Sequence, residues 1–178
     1  GGSTGYAFPI DNGGYGTMRM GAASNGGNLI SVGTGEKLIF GHQSAPGTSY
    51  TERMRIDSSG KVGIGQTSPA AKLDVNGNYT SNVTAVAALA IDCSAGNYFT
   101  KTINANSTFT FSNVPSSRSY SFTLELTHTS GTVTWPSSVK FPADTAPTLT
   151  TGKTHLFVFV TDDGGTRFRG AALADYVN

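Results

Sequence analysis

Residues 53–77 read RMRIDSSGKVGIGQTSPAAKLDVNG. Three short apolar-alternating runs stand in this stretch: Met54 and Ile56, then Val62 and Ile64, then Leu73 and Val75. Ser58-Ser59-Gly60 and Ser68-Pro69 separate them as turn signals. Strands of about four residues are near the lower limit for globular proteins. Each such strand exposes one apolar face and two open edges, which must be paired, covered or blunted. A chain of these pieces closes no core alone, and burial against copies of itself supplies what is missing.

The same theme runs backward to the N-terminus. Met18-Arg19-Met20 stands before Gly21, Leu29-Ile30-Ser31-Val32 before Gly33, and Leu38-Ile39-Phe40 before Gly41. The spacing is irregular, so no fixed-period solenoid is predicted. Turn signals at Asn12-Gly13-Gly14, Asn25-Gly26-Gly27 and Pro46-Gly47 have a mechanism, since glycine and asparagine reach positive φ cheaply. Of the 23 glycines, 17 lie at or before Gly77, whereas 13 of the aromatic residues lie after it. Glycine-dense sequence with few rings bends often but cannot fill a large core. The composition shift divides the chain into a glycine-rich β unit over 1–77 and a second unit over 78–178.

In the second unit, 78–90 reads as a linker and lead-in strand, because Val, Thr and the following Ile91 favour extended backbone. Strand candidates follow at turn-bounded intervals: Leu89–Cys93, Tyr98–Ile103, Thr108–Phe111, Tyr120–His128, Thr132–Trp135, Val139–Phe141, His155–Thr161 and Arg167–Ala172. Tyr120, Phe122, Leu124 and Leu126 alternate with Ser121, Thr123, Glu125 and Thr127, the mark of a strand with one buried and one wet face. Leu156-Phe157-Val158-Phe159-Val160 is apolar throughout, so both faces require cover, from a second sheet or from a subunit partner. Asp162-Asp163-Gly164-Gly165 then predicts a hairpin. The fold expected is all-β, with a jelly-roll-like β-sandwich head.

The string at 53–77 closely resembles a segment recurring in tail fibres and other appendage proteins of tailed bacteriophages, where it sits in a trimeric shaft before a distal domain. Val133–Pro142 (VTWPSSVKFP), Thr145–Thr154 (TAPTLTTGKT) and the DDGG hairpin more loosely resemble terminal β-domains of marine and cyanobacterial phage structural proteins. The resemblance implies an intertwined homotrimeric shaft joined to the rest of a fibre or tail, in a virion exposed to the extracellular medium. It implies a non-enzymatic head that attaches to a host surface glycan or protein. A trimerisation or capping module with no receptor contact is the alternative. A self-cleaving chaperone, which often follows such a shaft, is disfavoured because long helical segments are missing. The opening Gly1-Gly2-Ser3 is expected to be an engineering scar or a fragment boundary.

Composition narrows the chemistry. Charged residues are 13% of the chain and the net charge is +1, with Ser and Thr together numbering 43. Solubility therefore rests on hydroxyls and amides, and nothing clusters the cations that neutralise phosphate, so no nucleic-acid partner is expected. No apolar run approaches the ~20 residues of a membrane helix, so no membrane insertion is expected either. Cys93 is the one cysteine, and its apolar setting predicts a buried structural thiol. Gly152-Lys153-Thr154 lacks the earlier glycine and following helix of a P-loop, and Gly63-Ile64-Gly65 lacks the spacing of a dinucleotide site.

Glycoside hydrolysis needs two carboxylates flanking one bond. Five of the eleven acids stand instead in turn contexts, at Asp11, Asp57, Asp144, Asp162 and Asp163; Asp92, Glu125 and Asp175 are the others in the second unit. His42, His128 and His155 are distant in sequence and read as surface or sheet residues, with a metal on a trimer axis as the alternative, so no cofactor is expected. The three Asn-X-Thr/Ser patterns at Asn78, Asn82 and Asn106 are expected by chance in so Asn- and Thr-rich a chain. Sugar C–H faces stack on aromatic rings while polar neighbours hold hydroxyls. On that ground Tyr98, Trp135, Lys140 and Tyr176 are the candidate contacts, although Trp135 alternates with Val133 and suits core packing better.

Overall fold

The computed structural model describes residues 6–7, 19–22, 28–32, 35–43 and 49–177. The turn signals at Asn12, Asn25 and Pro46, like Gly1-Gly2-Ser3, lie outside the described residues. The chain divides into two compact units, Gly1–Tyr79 and Thr80–Asn178. Both are all-β, as expected, and the one helical turn described is a 3-10 turn at Pro142–Asp144.

In the first unit, β1 (Tyr6–Ala7), β2 (Arg19–Ala22) and β3 (Asn28–Ser31) form an antiparallel sheet. A second sheet takes β4 (Leu38–Gln43), β5 (Tyr50–Ile56), β6 (Val62–Ile64) and β7 (Leu73–Val75) in that order, with the last pair parallel. The turn after β5 is built by Asp57, whose Oδ1 accepts the N–H groups of Ser59 and Lys61 at 2.9 Å each. Gly60 completes it with φ +72, a conformation cheap only for glycine. Lysines brace the crossover between the parallel strands: Lys61 Nζ donates to the carbonyls of Pro69 at 3.0 Å and Ala70 at 3.3 Å, and Lys72 Nζ to that of Ser59 at 3.3 Å.

Register then aligns every apolar alternation on one face. Leu38, Ile56, Val62 and Leu73 lie in one cross-strand row, and Phe40, Met54, Ile64 and Val75 in the next. The face stays open: Leu73 is 60% exposed, Phe40 47%, Ile64 43% and Val75 36%.

The second unit contains the buried core. Its strands are β8 (Val83–Ala85), β9 (Ala90–Asp92), β10 (Tyr98–Asn104), β11 (Ser107–Thr108), β12 (Thr110–Ser112), β13 (Tyr120–Ser130), β14 (Val133–Thr134), β15 (Val139–Lys140), β16 (Lys153–Thr161) and β17 (Phe168–Tyr176). A six-stranded sheet runs in the order β15, β17, β16, β13, β10, β8. The short pairs β9–β12 and β11–β14 carry side chains that cover one of its faces. Three successive passes of the chain lay β8, β10 and β13 side by side in parallel. The same passes lay β9 beside β12 and β11 beside β14, again in parallel. The β16–β17 hairpin closes the sheet antiparallel, with Gly164 and Gly165 at positive φ in its turn.

These parallel ladders correct the jelly-roll-like expectation, because a jelly roll is an antiparallel architecture. Alternation says which face of a strand is buried, not the direction of its neighbour. The sandwich character itself holds, and its core is aromatic. Phe111 from the covering layer meets Phe122, Phe159 and Phe168 of the sheet at ring distances of 5.1, 5.2 and 5.0 Å. On β16, Phe157 and Phe159 are fully buried, whereas Val158 and Val160 on the opposite side are 40% and 39% exposed. The second face that this all-apolar strand requires to be covered is open in the single chain.

Candidate functional site

Strand parity decides what the uncovered face of the large sheet presents. Phe99 and Ile103 of β10 and Phe122, Leu124 and Leu126 of β13 enter the core. Tyr98, Thr100 and Thr102 therefore face outward, with Thr123, Glu125 and Thr127 beside them in register. Farther along the same rows, Leu156 and Val158 of β16 lie opposite Glu125 and Thr123, and Leu173 and Ala171 of β17 lie opposite them in turn. The open face thus changes character across the sheet, from hydroxyls and a carboxylate on β10 and β13 to aliphatics on β16 and β17.

At the polar end, Tyr98 Oη donates to Glu125 Oε2 at 2.8 Å. That bond, helped by burial, raises the tyrosine pKa above its ordinary value, so the phenol remains a donor. Because β8 ends at Ala85, the corner of the sheet is left as a trough of about 480 Å³. Its floor is Thr100, Thr102, Glu125 and Thr127, and its wall is Ala85, Val86 and Lys101. Lys101 Nζ fixes that wall by donating to the carbonyls of Val86 at 3.0 Å and Ala87 at 2.8 Å. A second trough of about 410 Å³ shares Lys101 and Thr102 and is bounded by the segments 87–89 and 101–107. Both volumes are within the range of small-ligand clefts.

The four candidates read from the sequence do not converge. Tyr98 stands next to the first trough through Glu125. Trp135 belongs to the core, its ring 5.3 Å from Phe109 in a stacked arrangement and 4.6 Å from Phe157. Lys140 is on β15 at the far edge of the sheet, four strand steps or roughly 19 Å from β10, and pairs with Asp144 at 3.7 Å. Tyr176 ends β17, 43% exposed. The sequence reading missed Thr100, Thr102 and Thr127. Their signal was present in the alternation of Tyr98-Phe99-Thr100-Lys101-Thr102-Ile103, but only the register joins them to Glu125.

Two other carboxylates of the second unit, Asp92 and Asp163, are engaged in local structure. Asp92 accepts from Ser94 Oγ at 2.7 Å, Ser94 N at 2.9 Å and Asn113 Nδ2 at 3.0 Å, and the Ser94 and Asn113 side-chain bonds lead in lowering its pKa. Asp163 accepts from the Arg167 N–H at 3.1 Å and from Thr161 Oγ1 at 3.0 Å, holding the hairpin turn, and its pKa is lowered chiefly by the Arg167 backbone bond. Glu125 is the carboxylate lining the first trough.

His128 and His155, distant in sequence, lie side by side with ring centroids 6.2 Å apart, 5% and 0% exposed. A carbonyl partner at Gly131, 2.8 Å away, makes His128 Nε2 a donor, and its Nδ1 has no partner. The surface reading of these two gives way to a buried sheet position. Among the described residues no three His, Cys, Asp or Glu side chains assemble as a metal-binding group. Cys93 is buried, and burial pushes its thiol pKa up to about 11. Comparison with protein-family models, with curated proteins and with solved structures finds no match for the chain.

Proposed function

We propose that this chain is the distal part of a trimeric tail fibre or related appendage of a tailed bacteriophage. In this reading the first unit is an intertwined shaft, and the second is a head that attaches the virion to a host surface glycan or protein without chemistry. The observation that carries it is the apolar face of β4–β7, where eight aliphatic, methionine and phenylalanine side chains line up in two rows and half of them are more than a third exposed. Buried apolar area stabilises by about 25 cal/mol per Å², and a face this continuous is covered most simply by its own copies. The likeness of 53–77 to fibre shafts points the same way. Three linked heads raise avidity through effective concentration, so each contact can be weak.

A second reading has its own support. The aliphatic half of the head's open face, with Leu173 at 59% and Val158 and Val160 near 40% exposure, suits a head that packs against its copies and registers or caps the shaft. Two experiments separate the readings. Purified oligomer is tested for adsorption to a panel of bacterial cells, cyanobacteria included. Residues 80–178 are deleted and the mass of the remainder is measured. Adhesion predicts saturable adsorption to at least one host. A pure capping module predicts none, together with loss of the oligomer on deletion.

A further inference from the structure

We infer that the trough beside β8 is a glycan subsite for neutral or amine-bearing sugars and discriminates against acidic ones. The inference rests on the adhesive reading and names the chemistry of its ligand. Three groups in the trough have unsatisfied hydrogen-bonding capacity. Glu125 uses Oε2 for Tyr98, which leaves Oε1 without a protein partner among the described residues. Thr100 and Thr102 face the same space with hydroxyls that make no hydrogen bond to the described protein. Thr127 is engaged with Thr154 at 3.1 Å. An acceptor-only carboxylate flanked by two hydroxyls that both donate and accept is the complement of adjacent sugar hydroxyls. Ala85, in register with Thr100, offers the apolar wall against which a pyranose C–H face rests.

Charge decides the class. The carboxylate of Glu125 is at the floor, and Lys101, which has the strand parity of the core-facing Phe99 and Ile103, directs its ammonium away to the Val86 and Ala87 carbonyls. A uronate or phosphate on the ligand therefore meets a like charge with no dedicated cation to offset it, whereas a hydroxyl or an ammonium donates to Glu125. The second trough, sharing Lys101 and Thr102, extends the subsite for a further residue of an oligosaccharide.

The test is binding of the full-chain oligomer to immobilised oligosaccharides ending in glucose, galactose, N-acetylglucosamine, glucosamine, glucuronate or a sugar phosphate. The wild type is compared with Glu125→Gln and Thr102→Val, and each variant's melting curve is recorded to establish that it folds. Retention of one or more neutral or amino sugars is expected, reduced about tenfold or more by each variant. Glu125→Gln is also expected to narrow the gap between neutral and acidic ligands. Binding confined to acidic sugars, or neutral binding that neither folded variant weakens, overturns the inference. If cells adsorb the protein but no sugar is retained, the subsite is wrong and the adhesive reading survives. If cells do not adsorb it either, both are wrong.

Discussion

At the scale of single residues the head is held by close approaches that tolerate little change. Gly131 has φ +90, and a Cβ placed there would come within 2.1 to 2.5 Å of the Ala105 and Asn106 backbone. Gly131→Ala is therefore expected to destabilise the head by at least about 1–3 kcal/mol, read as a fall in melting temperature of several degrees. Phe159 is fully buried between β13, β17 and the covering layer, and Phe159→Ala should cost about 3–5 kcal/mol in chemical unfolding. Cys93 makes a different prediction. Burial raises its pKa from 9.0 to about 11, so the unfolded chain ionises first. Its contribution to stability is complete below about pH 9 and is lost as pH rises toward 11. Urea midpoints between pH 8 and 10.5 should fall less steeply for Cys93→Ala than for wild type, and a thiol reagent at pH 8 should label the wild type only as it unfolds. Much of this was legible in the residues themselves: the apolar setting of Cys93 and the alternation at Trp135 both indicate burial. The partner of Tyr98 was not, since Glu125 is 27 positions away and only the register brings it near.

At the scale of elements, alternation predicted faces well and pairing poorly. Tyr120–Ser130 has the buried and wet sides that its pattern implies. The Asp-Asp-Gly-Gly hairpin likewise forms, since two adjacent glycines meet its positive φ requirement. The parallel ladders of β8, β10 and β13 were hidden because a period of two carries no information about strand direction. The covering strands were hard to place for another reason. At two or three residues each, β9, β11, β12 and β14 are too short to show a period, and one candidate at Thr108–Phe111 divides into two strands serving different pairs. The rows of β4–β7 give the prediction that belongs to this scale. Leu73→Lys combined with Ile64→Lys places two ammonium groups on the apolar face, at positions 60% and 43% exposed in the single chain. The double variant should dissociate the proposed trimer while the melting transition of the second unit in the same chain stays in place. An unchanged mass would mean that this face is not where copies meet.

At the scale of the whole molecule, the division of labour between the two units follows from composition. Glycine-dense sequence builds thin sheets whose apolar face remains open, and the ring-rich remainder builds a core from thirteen buried apolar side chains. The account holds that the first unit is completed only by sister chains. Sedimentation equilibrium of the purified protein at micromolar concentration, in mild buffer, tests this most directly. The account predicts a single species of three times the 18.4 kDa chain mass, persisting on tenfold dilution. A monodisperse monomer under the same conditions would contradict it.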